Sequence, residues 1–141
     1  MQNRRDFLKS ACTACAGVAA LGFIMADLES CKTADPNAIT VSKKQVTVPL
    51  SQMADKNVLI IKSASLEYDI ALVKKSEKEF VALKMVCPHR QNPVTTASTG
   101  FFCPSHGSEF DMDGKVTKGP SANSLTQFQT VIQKGKAIIT I

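Results

Sequence analysis

Tryptophan is absent from this 141-residue chain, tyrosine occurs once and histidine only twice. With aromatic residues at 6%, a core has to be assembled from aliphatic side chains. Blocks of like charge are missing too. The 17 basic and 12 acidic residues give a net charge of +5, but the excess is spread over single lysines, which argues against a nucleic-acid-binding stripe and suits a mildly acidic partner. Outside the N-terminal segment no window keeps a helical period, so a helical bundle is excluded. The 44% apolar share is that of an ordinary globular chain, not of a disordered, collagenous or polytopic membrane one, and the length suits one domain.

What is present begins with an address. Residues 3–9 read Asn-Arg-Arg-Asp-Phe-Leu-Lys, and a run of small and apolar side chains follows over 11–26. That run is shorter than the roughly 20 residues of a spanning helix and has the flanks of a secretory signal. The pair Arg4-Arg5 followed by Phe7-Leu8-Lys9 resembles the twin-arginine export signal, with Asn3 where Ser or Thr is usual. Leu28-Glu29-Ser30-Cys31 resembles a lipobox, so the segment ends in lipidation of Cys31, in an uncleaved membrane anchor or in another cleavage. In either of the first two cases the chain is tethered to a membrane. Cys12-Thr-Ala-Cys15 has the spacing of a thiol redox pair, but it lies inside the apolar run with no strand before it and reads as filler.

The expected organisation is a signal or anchor segment over 1–31, a polar linker over 32–40 and a domain over 41–141. Runs rich in Val, Ile, Leu and Thr at 45–50, 57–62, 68–74, 79–86, 98–102, 126–133 and 136–141 have strand lengths and β-branched content. Lys134-Gly135 and Asp113-Gly114 mark hairpin turns. The fold class expected is all-β, built from antiparallel sheets.

The soft-ligand chemistry of this domain lies between residues 87 and 106, where Cys87, His89, Cys103 and His106 are its only cysteines and histidines. Met-Val-Cys87-Pro-His89 and Phe-Phe-Cys103-Pro-Ser-His106 echo each other, and thirteen residues separate His89 from Cys103, enough for a hairpin that returns the second loop beside the first. In extended chain Cys87 and His89 project to one side, and Cys103 and His106 can do so across a tight turn. Thiolate and imidazole suit zinc or iron. A zinc finger opens with paired cysteines and closes with paired histidines, whereas here each loop supplies one of each.

This Cys-x-His, spacer, Cys-x-x-His pattern resembles the Rieske iron-sulfur proteins. The likeness continues through Cys103-Pro-Ser-His-Gly-Ser-Glu-Phe-Asp111 and into the Pro120 loop, is strong over about 79–125 and extends over 40–141. It implies two cluster-binding loops on antiparallel β-sheets and one 2Fe-2S cluster, with Cys87 and Cys103 on the inner iron and His89 and His106 on the outer. It also implies that the Ser108 hydroxyl donates to a bridging sulfide, that Gly107 and Gly119 let backbone approach the cluster, and that Pro120 stiffens a covering loop. Two thiolates neutralise the charge left by two ferric ions and two sulfides, whereas four would make the oxidised site anionic, so histidine ligation eases electron entry.

Departures from the family pattern are equally specific. Asn92 and Ser105 stand where quinol-oxidising members carry a disulfide, and Phe110 stands where high-potential members carry a tyrosine donor, which points to a middle or low Rieske potential. Gln91 replaces a glycine common after Arg90, whose own charge reads as a solvated loop charge ahead of a partner contact. No nucleophile or base pair accompanies the cluster. The resemblance therefore implies an exported, membrane-tethered single-electron carrier, or the iron-sulfur subunit of a cytochrome bc-type or arsenite-oxidase-like complex, working with quinol-linked or periplasmic redox proteins and not with nucleic acid. Two alternatives stand beside it: a zinc-stabilised periplasmic binding lipoprotein, and a Rieske ferredoxin serving an oxygenase.

Overall fold

The computed structural model describes residues 35–141. The twin-arginine pattern, Cys12, Cys15 and Cys31 lie outside the described residues. Eleven strands account for most of the regular structure: β1 Thr40–Val41, β2 Gln45–Pro49, β3 Val58–Ile61, β4 Ile70–Lys74, β5 Phe80–Lys84, β6 Thr95–Ala97, β7 Gly100–Phe102, β8 Glu109–Phe110, β9 Val116–Lys118, β10 Gln127–Gln133 and β11 Lys136–Thr140. Among the described residues the one helical element is a single 3-10 turn at Leu50–Met53. The all-β expectation holds, and each of the seven runs picked out by β-branched content contains a strand.

Seven strands form a sheet in the order β1-β2-β11-β10-β5-β4-β3, and four form a second in the order β6-β7-β8-β9. Every pairing is antiparallel. Strand β10 changes partner along its length: Gln127 and Phe128 pair with β5, whereas Gln129 to Gln133 pair with β11. Its alternation of half-buried and exposed positions keeps Phe128, Thr130 and Ile132 on one side.

The strands β3, β4 and β5 are apolar on both faces because they separate two cores. Ile70 and Leu72 of β4, with Ala82 of β5 and Ile61 of β3, face a cluster completed by Val46, Val48, Met53, Ala137 and Ile139. Their neighbours Ala71, Val73 and Leu83 face a second cluster with Met85, Cys87, Val94, Phe101, Cys103, Phe110 and Leu125. Continuous runs such as Ile-Ala-Leu-Val are what a doubly covered strand requires, while β2 alternates from exposed Gln45 to buried Val46, half-buried Thr47 and buried Val48.

The second sheet is an excursion from the first. The chain leaves β5 at Lys84, runs through the loops and β6 to β9, and returns to β10, the strand beside β5. The Lys84 N–H donates to the Thr126 carbonyl at 2.9 Å and closes the base. A second tie joins the turns of the two sheets, where Lys75 Nζ lies 2.7 Å from Asp113 Oδ1. Donating to the Asp113 carboxylate holds the Lys75 ammonium above the ordinary lysine value.

Gly100 begins β7, and a Cβ there would collide with the Phe110 carbonyl oxygen of β8. Since that obstacle is backbone and not a movable side chain, Gly100→Ala is expected to destabilise the fold by about 1–3 kcal/mol, measured as a lower denaturation midpoint of the loaded chain.

Candidate metal centre

The two Cys-His loops share one backbone design. In the first, the Cys87 carbonyl accepts from the Gln91 N–H at 2.9 Å, and the Cys87 N–H donates to the Asn92 carbonyl at 2.8 Å. In the second, the Cys103 carbonyl accepts from Gly107 N–H at 2.9 Å, and the Cys103 N–H donates to the Ser108 carbonyl at 2.8 Å. Each loop hangs from paired chain: Val86 bridges Pro93, and Phe102 pairs with Glu109. Each has proline directly after its cysteine, which fixes φ for the turn. Each also closes on a left-handed residue four positions after the cysteine, Gln91 at φ 55° and Gly107 at φ 76°. The loops differ in where the histidine falls, one residue later in the second.

These loops bring the four expected residues together in two pairs. Cys87 and Cys103 are buried within the apolar cluster, both as free thiols. Neither Asn92 nor Ser105 offers a covalent link, so the loops are held by hydrogen bonds and packing. The imidazoles lie outside the thiols: His89 is half-buried, His106 is exposed, and their rings meet edge to face with centroids 4.9 Å apart at 86°.

Burial pushes the Cys103 thiol up, but donors outweigh it. The Ser105 backbone N–H, the Cys87 side chain, the His106 backbone N–H and the Ser105 hydroxyl together bring it below the ordinary thiol value. A site that favours thiolate is suited to a metal. His89 Nδ1 is the one buried side-chain N or O atom among the described residues without a hydrogen-bond partner. Such an orphan costs about 1–3 kcal/mol, and a metal ligated through Nδ1 removes that cost.

Among the described residues no three His, Cys, Asp or Glu side chains converge as the ligands of a single ion. A structural zinc needs four. Two buried thiols and two more accessible imidazoles are the donor set of a histidine-ligated 2Fe-2S centre. The residues present fit that group.

Ser108 is fully buried, and its Oγ accepts from the Ser121 backbone N–H at 3.0 Å. This bond fastens the covering loop to the second ligand loop and leaves the Ser108 hydroxyl proton free to be donated. Ser121, itself buried, donates its hydroxyl to the Asn123 carbonyl at 2.8 Å and so shapes the loop it anchors. Of the two glycines expected to matter, Gly107 needs its left-handed backbone. At Gly119, by contrast, a Cβ would meet nothing nearer than the Ser121 nitrogen at 3.9 Å. A cavity of about 580 Å3 lies on the small sheet, bordered by Phe102, Glu109 and Thr117, and none of the four Cys and His residues lines it.

An antiparallel β frame that presents two cysteines beneath two histidines defines an iron-sulfur protein. The Rieske [2Fe-2S] domain matches residues 34–129, and the chain belongs to that family, with a Rieske-type 2Fe-2S cluster as its cofactor. It is 30% identical over 88 residues to the cytochrome b6-f complex iron-sulfur subunit of Nostoc punctiforme, covering 61% of this chain and 49% of that one. With the mitochondrial cytochrome b-c1 complex Rieske subunit of Bos taurus it shares 33% identity over 85 residues, 58% of this chain and 27% of the relative. The chain thus spans half or less of the curated relatives it matches. The fold is also that of the plasma membrane Rieske protein PetC3 from Synechocystis PCC 6803, with a TM-score of 0.57 at 23% identity over 72% of this chain and all of that one.

Gln91, which stands where a glycine is common, adopts the same left-handed backbone as Gly107 in the second loop. Left-handed backbone is unfavourable for a side chain by about 1–2 kcal/mol, partly offset by the greater freedom glycine has when unfolded. Gln91→Gly is therefore expected to raise stability by up to about 1 kcal/mol and Gly107→Ala to lower it by about 1 kcal/mol, both read by denaturation of the loaded chain.

Proposed function

We propose that this Rieske electron-transfer protein is exported by the twin-arginine route and tethered at the periplasmic face, where it passes single electrons between a quinol-linked or enzyme donor and a periplasmic acceptor. Residues 1–31 are the signal or anchor, 32–40 the linker and 41–141 the electron-transfer domain. The pattern at Asn3–Lys9 and the apolar run after it support the address. The observation that carries the site is the pair of loops with a common backbone, each offering one cysteine inward and one histidine outward. Cys87 and Cys103 hold one iron, and His89 and His106 hold the other.

A cluster with two thiolate and two imidazole ligands accepts and releases one electron at a time. The chain's own residues govern the rest. Phe101, Phe110, Val94 and Leu125 keep water from the thiol side. His89, with Nδ1 turned inward, keeps its other ring nitrogen for a proton, and exposed His106 places the outer ligand pair at the surface. Ser108, its lone pair already engaged by Ser121, donates toward the site, while Phe110 has no hydroxyl to add. The homologous subunits named for cytochrome b6-f and b-c1 complexes support a membrane-associated redox complex as the setting.

Potential-controlled EPR of the full loaded chain tests this reading. A rhombic Rieske signal should appear on reduction, with a midpoint that falls as pH rises, because adding an electron favours retention of the imidazole proton. Cys103→Ser should abolish the signal; its survival would overturn the ligand assignment. Ser108→Ala should keep the signal and lower the midpoint by roughly 60–120 mV, since a hydrogen bond to a charged group is worth about 1.5–3 kcal/mol and about 1.4 kcal/mol corresponds to 59 mV for one electron.

A further inference from the structure

The chain around the two ligand loops is poor in carboxylates. Residues 80–108 contain no Asp or Glu, and neither do residues 114–141, so the second half of the domain has only Glu109, Asp111 and Asp113. All three are engaged within the fold. Glu109 is paired with Lys118 at 2.9 Å and Asp113 with Lys75 at 2.7 Å. Asp111 Oδ1 accepts from the N–H groups of Asp113 and Lys115, both at 2.9 Å.

Positive charge is distributed differently. Arg90 follows His89 directly, is exposed, and forms no ion pair among the described residues. It is the only charged residue in either ligand loop. Lys118 is committed to Glu109, and Lys84 lies over the Tyr68 ring at 4.1 Å. Two carboxylates come from the packed β3–β4 connection. Asp69 and Glu67 border a cavity with Gln91 and Pro93 on the flank of the first loop, and Asp69 is neutralised by Lys62 at 3.3 Å. Near the first loop this leaves Arg90, within the loop itself, and Glu67, on its flank.

We propose that the histidine end of the domain docks on an acidic redox partner, one whose electron-exchanging face carries carboxylates, with Arg90 as the charge that steers it. An arginine that forms no ion pair, next in the chain to His89, acts on encounter and orientation more than on final affinity. The inference rests on the proposed electron-transfer site.

The test uses the full loaded chain, reduced in advance and freed of reductant, with small oxidants of opposite sign as probes. One electron passes from the protein to ferricyanide, giving ferrocyanide, or to tris(phenanthroline)cobalt(III), giving the cobalt(II) complex. Rates are measured by stopped flow across ionic strength. In the unaltered protein the ferricyanide rate should fall with added salt. Arg90→Glu should lower the low-salt ferricyanide rate about fivefold or more and raise the cobalt rate, with Arg90→Gln between. Opposite responses separate steering from a changed potential, which would move both rates the same way.

Lys43→Glu, in the β1–β2 turn at the far edge of the larger sheet, makes the same change in net charge and should alter either rate less than twofold. Equal effects of Lys43→Glu and Arg90→Glu, or parallel changes with both oxidants, would overturn the proposal. A chain without a Rieske EPR signal would instead overturn the site reading, and this inference with it.

Discussion

Both cysteines of the candidate metal centre belong to the apolar cluster that joins the two sheets. Ala71, Val73 and Leu83 arrive from the large sheet, Phe101 and Phe110 from the small one, and Cys87 and Cys103 are packed among them. Positioning the ligands and assembling the fold are thus the same packing event. Burial alone would disfavour thiolate, and the groups around Cys103, led by the Ser105 backbone N–H, reverse that. The loops have no covalent brace among the described residues, so their geometry depends on this packing, on the Cys-centred hydrogen bonds and on the bond from Ser121 to Ser108.

Much of the domain was legible in the sequence because its strands obey simple periods. The run Ile70–Lys74 reads as a doubly buried strand, and Lys136–Thr140 as one buried on alternate residues. Short, polar β6 was not visible: Thr95–Ala97 is exposed throughout and is a strand only because it pairs with β7. Gly100 was passed over for a related reason. Nothing in its neighbours in sequence reveals that the carbonyl of Phe110 lies against it across the sheet.

At the candidate centre, residue type and spacing singled out the four Cys and His positions, since thiol and imidazole occur nowhere else in the domain. What spacing could not give was conformation. Aligning Cys87 to Gln91 with Cys103 to Gly107 would have exposed the matching left-handed positions, but a histidine displaced by one residue obscured the match. Ser121 was missed because its contribution is a backbone N–H, which leaves no signature in residue type.

The excursion that carries the centre leaves and rejoins the large sheet at adjacent strands, and one backbone hydrogen bond between Lys84 and Thr126 closes its base. A segment with entry and exit so close behaves as a cassette. Its length and loop composition can change while the distance its ends must span stays that of neighbouring strands, about 5 Å. The larger sheet is then a socket indifferent to what the insert binds, and the shared apolar surface is the one feature a replacement insert must reproduce.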